Sequence, residues 1–519
     1  MNYPASRQFR ITLLLLILLE ELSLVAYLAP ATGPIFFILL ALVFLALAIW
    51  RLPWAVWLVL IELIIGSKGY LFFYDFAGTR ISLRIVLWSA VLLVWLGKTL
   101  IDLIREKKFK PELKNFIISL KTGEKRSLVL LAIFVLWGFI NGLFITKNGL
   151  ADTFLDFNGW LYFLLIFPLY SVFKKREDLD KLLPLILAAA VWLGLKTLTM
   201  GFVFSHASME SPAFRLYRWV RTSGVGEITQ VKGGFYRIFF QSQIYGLISF
   251  LSFGAVLTSQ IVRTKFSILL KTKNFWCAFS GASFFLAVIL FSLSRSFWLG
   301  LFAGLLLLLP FLYLETRKLG ENFLQKFAAT ASVFFASLIF GTALVVLTVT
   351  FPIPEPLGGF DTGSLLNARL DTGEAAAVSR WELLPKLWHK ILEAPVLGSG
   401  FGTAITYQSS DPRQLASPNH GRYTTYAFEW GWLDIWLKLG IFGVAAYLLL
   451  IVQAIRATIR SADNGGCSSS FGFILISGLI AIAVTHFFSP YLNHPLGIGY
   501  LILMLTLANV SKNKLTTRS

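Results

Sequence analysis

The sequence predicts an all-α integral membrane protein, a polytopic bundle of about fourteen transmembrane helices with two long loops on one side. The first observation is composition. The chain has 519 residues, 56% of them hydrophobic and 14% charged, with a mean hydropathy of +0.72. A soluble domain carries about 25% charged residues. The second is run length, since the apolar stretches are roughly twenty residues each, enough to cross a hydrocarbon core about 30 Å thick. The third is periodicity. A membrane barrel would show short alternating segments, which these runs are not, and helices then remain the way to satisfy backbone polar groups in lipid.

In chain order the apolar windows fall near 10–28, 32–50, 52–66, 84–104, 127–145, 158–173, 182–204, 238–262, 275–293, 296–314, 327–351, 432–455, 471–488 and 495–510. Glu20, Glu21 and Glu62 stand inside early windows, where a carboxylate is costly unless it faces protein or water. The first apolar run leads straight into further spans, so no cleavable signal is expected. Two cysteines, Cys277 and Cys467, are too few for a disulfide framework. The five histidines show no clustered spacing with cysteine, which argues against a zinc site, and no metal or other cofactor is expected.

A net charge of +19 would suggest nucleic acid in a soluble protein. Here the excess of Lys and Arg in cytoplasmic loops of membrane proteins accounts for it, and no nucleic-acid partner is expected. Basic segments occur at 105–126, at Lys174, Lys175, Arg176 and Lys181, at Arg263, Lys265, Lys271 and Lys273, at Arg317, Lys318 and Lys326, and at Arg456 and Arg460. The first holds Lys107, Lys108, Lys110, Lys114, Lys121 and Lys125. With about fourteen spans all of them fall on one side, the cytoplasmic side, together with both termini.

The chain then divides into an N-terminal transmembrane bundle at 1–204, a basic periplasmic loop at 205–237, transmembrane helices at 238–351, a large periplasmic loop at 352–431 and C-terminal transmembrane helices at 432–519. Both loops are rich in Arg although they face away from the cytoplasm. The first has Arg215, Arg218, Arg221, Lys232 and Arg237, and the second Arg369, Arg380, Lys386, Lys390, Arg413 and Arg422. Such residues run against the topological bias, and an anionic ligand is the simplest reason for them. Balancing by acidic residues, or contact with lipid headgroups, is the bland alternative.

Within the larger loop, residues 380–393 place Trp381, Leu384, Leu387, Trp388, Ile391 and Leu392 at helical spacing, with Arg380, Glu382, Lys386, His389 and Lys390 on other faces. This predicts a helix on the membrane surface or on the bundle, capped by Ser379 and kinked by Pro385. The following Gly398, Gly400 and Gly402 break it. No Lys-Ser/Thr follows these glycines and the loop faces away from cytoplasmic ATP, so a nucleotide site is rejected.

Three pieces between residues 235 and 455 together resemble the O-antigen ligase and polymerase family. They are Ser294-Arg295-Ser296 between two spans, then Arg380, Trp381 and Trp388 running into EAPVLGSGFGT, and finally WLDIWLKLGIFG at 432–443. The resemblance implies a GT-C-like membrane glycosyltransferase of the bacterial inner membrane that needs neither nucleotide nor metal. Such an enzyme moves a glycan from an undecaprenyl-diphosphate carrier to a glycan, lipid or protein acceptor at the periplasmic face. By the same resemblance Arg237, Arg295 and Arg380 map onto diphosphate-binding positions, with Arg221 a rival for Arg237. Guanidinium suits the role because its fork binds two phosphate oxygens and stays ionised.

The base departs from the family pattern. Relatives place a His-Asn pair eleven residues before the glycine corresponding to Gly440, and that position here is Glu429, followed by Trp430. Pro418-Asn419-His420 lies nine residues earlier. Glu429 and His420 are the candidate general bases, with a base outside this loop or none as the remaining alternative, and capping of the next span is the bland role for Glu429 and Asp434. Ligase and polymerase share these motifs, and residues 353–379, which follow Pro352 and hold Pro354 and Pro356, are the candidate segment for acceptor choice. A transporter or flippase of lipid-linked sugars is the competing class, against which stand the absence of a clear internal repeat and the one-sided arginines.

Overall fold

The computed structural model of the chain describes residues 6–76, 78–106, 123–208, 212–231, 234–357, 375–410, 412–416, 418–463 and 468–510. Lys107, Lys108, Lys110, Lys114, Lys121, Lys232, Arg369, the stretch 358–374, Cys467 and both chain ends lie outside them.

Apolar helices dominate. In order they are α1 (Arg7–Leu28), α2 (Gly33–Trp50), α3 (Leu52–Ile65), α4 (Leu83–Glu106), α5 (Gly123–Ile140), α6 (Leu150–Phe157), α7 (Ile166–Val172) and α8 (Arg176–His206). A short α9 (Ala213–Thr222) precedes α10 (Ile244–Arg263), α11 (Lys273–Ser292), α12 (Arg295–Leu306), α13 (Leu308–Leu319) and α14 (Phe323–Val349). The large loop contributes α15 (Ala375–Glu393), and α16 (Gly431–Asp463), α17 (Ser469–Thr485) and α18 (Pro495–Val510) complete the bundle. Three two-stranded antiparallel hairpins sit between helices: β1 (Phe73–Phe76) with β2 (Thr79–Ser82), β3 (Gly226–Gln230) with β4 (Tyr236–Phe240), and β5 (Ile405–Gln408) with β6 (Arg422–Thr425).

Among the described residues eleven helical segments are long and apolar enough to cross a membrane, making this a polytopic helical membrane protein. Several start where a polar side chain caps the first turn: Ser6, Thr272, Asn322 and Ser468 each accept a backbone N–H three residues on. Three further expected spans form shorter helices, Leu52–Ile65, Ser469–Thr485 and Pro495–Val510.

The two ends of the bundle differ. At one, Lys125 stacks on Tyr170, whose hydroxyl accepts from Asn509, and Gly123 packs against Gln453. Arg263 pairs with Glu315 at 3.4 Å, Lys326 donates to the Ile261 carbonyl at 2.9 Å, and Lys318 reaches Ser469 at 3.5 Å. The opposite end carries the hairpins, α9 and α15.

The carboxylates inside early spans are resolved by pairing. Glu20 accepts from Lys196 at 2.6 Å, and Glu62 holds the Arg84 fork at 2.7 and 3.0 Å, all four side chains buried. Glu21 is exposed on the outer face of α1. A buried charge persists only when paired, so these contacts tie α1 to α8 and α3 to α4.

The large loop differs from its expectation in detail. Its helix begins at Ala375, so Ser379 is no cap; its hydroxyl instead bonds Tyr407 and Ser409 at 3.1 and 2.8 Å. Leu383, rather than Leu384, joins Leu387 and Ile391 on the buried face, against Ile405, Phe428 and Leu437. Pro385 is accommodated inside the helix.

The glycine segment after α15 enters the bundle. Gly440 (φ 72°, ψ 178°) breaks α16, and the peptide groups freed there are satisfied by the inserted chain. Ser399 N–H donates to the Leu437 carbonyl at 2.7 Å, Gly400 N–H to Lys438 at 3.1 Å, and Ile441 N–H to Pro395 at 2.9 Å. Asn141 and Asn148 close the other side, donating to the Gly398 and Phe401 carbonyls at 2.8 and 2.9 Å. Gly400 has φ +79°, and a Cβ there would collide with the backbone of Gly142. The alternating glycines therefore serve close backbone packing.

Candidate active site

The β3–β4 hairpin pairs Thr229 with Arg237 and buries Ile228, Ile238 and Phe240. This leaves Arg237 on the other face, stacked on Phe239 with its guanidinium carbon 4.6 Å from the ring centre. Its Nε donates to the Ser292 carbonyl at 2.7 Å. Ser292 ends α11, Leu293 turns the chain in the left-handed region (φ 44°), and Arg295 opens α12. The Ser294 and Ser296 hydroxyls bond each other at 3.0 Å.

A cation in the first helical turn opposes the helix dipole. In the same turn the Phe297 and Trp298 N–H groups donate to the Ser294 carbonyl at 3.1 and 3.2 Å. Arg295 at the start of α12 with Arg237 bound to the preceding turn is thus an arrangement that an anion would stabilise.

The second group lies on α15 and the entry to α16. Arg380 and Glu429 form an ion pair, each side chain partly exposed. Trp430 donates from its indole N–H to the Arg380 carbonyl at 3.1 Å and packs edge-on against Trp381. Segment 486–494, between α17 and α18, joins the two groups. Trp430 packs on Phe488, Gly431 N–H donates to the His486 carbonyl at 3.1 Å, and the Ser489 hydroxyl bonds Ser296 at 3.0 Å. Tyr491 donates to the Gln241 carbonyl at 2.8 Å, just after β4. Arg237, Arg295, Arg380 and Glu429 are thereby carried by elements braced on one short segment.

Two other candidates lie elsewhere. Arg221 sits on the exposed side of α9, its Nε donating to the Tyr217 hydroxyl at 3.2 Å. The α9 helix is held by its opposite side, where Trp219 donates to Ser23 at 3.0 Å. His420 occupies an exposed turn before β6 with φ 47°, its carbonyl accepting from Gln408 at 2.7 Å. Its ring makes no hydrogen bond, ion pair or ring contact among the described residues.

Sequence reasoning passed over Lys68. It is exposed, its N–H donates to the Gly224 carbonyl at 3.3 Å, and its side chain covers that glycine. Burial pushes the His494 imidazole down to about 3, and the nearby Arg84 and Lys68 charges add to the effect. The one available signal was a Lys just past the end of an apolar span. An apolar cavity of about 150 Å³ between Leu60, Leu183, Ile248, Ile474 and Leu503 lies towards the basic end, away from these arginines.

Apolar helices of membrane length, repeated along the chain, define a multi-pass membrane protein. Residues 280–448 match the family model described as O-antigen ligase, about a third of the chain. The matched segment runs from α11 through the large loop to beyond the Gly440 break. Arg295, Arg380, His420 and Glu429 lie inside it, and Arg221 and Arg237 lie before it. No curated protein matches the chain.

Proposed function

We propose that this protein transfers a glycan from an undecaprenyl-diphosphate carrier to an acceptor hydroxyl at the periplasmic face of the bacterial inner membrane. In this reading it has fourteen spans, a GT-C-like bundle and cytoplasmic termini. The observation that carries the reading is the convergence of Arg237 and Arg295 on the turn that opens α12, inside or beside the O-antigen ligase match.

The chemistry follows from the residue types. The acceptor oxygen attacks the anomeric carbon as the bond from that carbon to the diphosphate breaks. The bonding pair leaves on the carrier diphosphate, where negative charge grows. In this reading Arg237 and Arg295 meet that charge, and preorganised guanidinium groups stabilise it without reorganisation. The acceptor proton passes to Glu429, which Arg380 orients. No step draws on a nucleotide or a metal ion.

The buried pairs Glu20–Lys196 and Glu62–Arg84 favour a second reading, a transporter, because ionisable groups within a bundle mark transport pathways. Each is closed by its own partner, which suits bracing better.

Deletion of the gene, followed by extraction of carrier-linked and surface glycans, tests the proposal. Accumulated carrier-linked polymer indicates a ligase and accumulated single units a polymerase acting at the same site. Unchanged glycan pools would contradict both.

A further inference from the structure

We propose that Lys438 is a positioning residue for glycan transfer, acting through a buried network that fixes the entry of α16 against segment 486–494. The proposal rests on the functional reading above.

Lys438 and Asp434 are each 2% exposed, one helical turn apart in α16. The Lys438 ammonium lies 2.5 Å from Asp434 Oδ1 and 2.5 Å from Asp156 Oδ1. The second oxygen of each carboxylate is also engaged. Asp156 Oδ2 accepts from Gly402 N–H at 2.8 Å, and Asp434 Oδ2 accepts from Asn493 Nδ2 at 2.5 Å. One ammonium thus joins the end of α6, the inserted glycine segment, the first turns of α16 and segment 486–494.

The site's geometry depends on those segments. The Lys438 ammonium lies 5.6 Å from the centre of the buried Phe428 ring, and Phe428 directly precedes Glu429. Asn493 stands four residues from Ser489, which bonds Ser296 beside Arg295. Lys438 also sits two residues before the Gly440 break, where continuous helix cannot hold the entry turns in line. A network of one cation and two anions is a poor source of stability, because an apolar packing of equal volume does as well or better. What it supplies is a fixed direction, and a misplacement of about 1 Å at a reacting group can cost about 10²-fold in rate.

The test uses full-length protein in proteoliposomes, with carrier-linked glycan extracted from the deletion strain as donor probe. Lys438→Met leaves two carboxylates facing each other and can fail to fold, so it is paired with the Lys438→Met/Asp156→Asn double variant, whose formal charge in the network is unchanged. The double variant is expected to accumulate, with a melting temperature lowered by the unpaired Asp434 carboxylate, kcat lowered at least about 10-fold and donor KM within about twofold. A folded double variant with wild-type kcat would overturn the proposal. So would a raised KM at unchanged kcat, which would mark a binding role, and so would failure of the double variant to accumulate, which would assign the network to folding alone. A wild-type protein that transfers nothing would instead overturn the functional reading and this proposal with it.

Discussion

Arg237 Nε donates to the backbone carbonyl of Ser292 at 2.7 Å, three residues before Arg295. A residue at the edge of a hairpin is thereby fixed to the turn that opens α12, and two positions 58 apart in sequence share one corner (295 − 237 = 58).

Replacing guanidinium by ammonium separates charge from geometry. Arg295→Lys and Arg380→Lys are expected to lose most transfer while accumulating normally in the membrane, because Lys keeps the charge without the two-point contact to phosphate oxygens or carboxylate. Transfer per molecule in reconstituted membranes is the measurement. Near-normal rates for both variants would end their proposed roles.

Glu429 is the base in the proposed mechanism. Glu429 is held beside Arg380 at the entry of α16, whereas His420 stands on an exposed turn at the far end of β6. Glu429→Gln is expected to slow transfer by about 10²–10⁴-fold, typical of a lost general base, and His420→Ala far less. The reverse order would move the base to the hairpin.

Much of this architecture was legible in the sequence because the signals are local. Roughly twenty apolar residues are a membrane span whatever surrounds them, and Trp381 to Leu392 announces a helix from its own spacing. Partners were not legible. Nothing near Glu20 points to Lys196, 176 residues away, and nothing in APVLGSGFGT says that its N–H groups will satisfy carbonyls exposed by the Gly440 break. Of the candidate site, Arg295 and Arg380 are proposed from motif order. The bracing by Phe488, Ser489 and Asn493 could not be read from the sequence, since these side chains matter only through contacts with distant segments. Ser379 was misread for the same reason, its hydroxyl being engaged by Tyr407 and Ser409 across the loop.

Acidification should destabilise the fold through His494. Its pKa lies at about 3 in the folded protein against an ordinary 6.5, so below about pH 6.5 the unfolded chain binds the proton more readily. The stability it contributes is full above pH 6.5 and declines as pH falls towards 3. The melting temperature in detergent is therefore expected to drop between pH 7 and pH 5, and less steeply in His494→Asn. Identical slopes would show that another group sets the dependence.

Breaking a buried pair should cost more than any surface change. Lys196→Met leaves Glu20 buried without its partner, a loss of about 3–5 kcal/mol. Sharply reduced membrane accumulation is expected, relieved by Glu20→Gln in the same chain. Normal accumulation of the single variant would mean that water reaches Glu20.

Orientation can be read with single cysteines in a background lacking Cys277 and Cys467. Thr424, exposed on β6, is a suitable site. Thr424→Cys is expected to react with a membrane-impermeant thiol reagent in spheroplasts. Reaction only after lysis would invert the bundle and place the arginines on the cytoplasmic side.

The most direct test of the account follows the carrier itself. Purified protein in proteoliposomes, given carrier-linked glycan and acceptor in the presence of EDTA and without nucleotide, is expected to release undecaprenyl diphosphate in step with glycosylated acceptor. Arg295→Lys should reduce both products together. Appearance of neither product with the wild-type protein, or movement of intact carrier-linked glycan across the bilayer without cleavage, would contradict it.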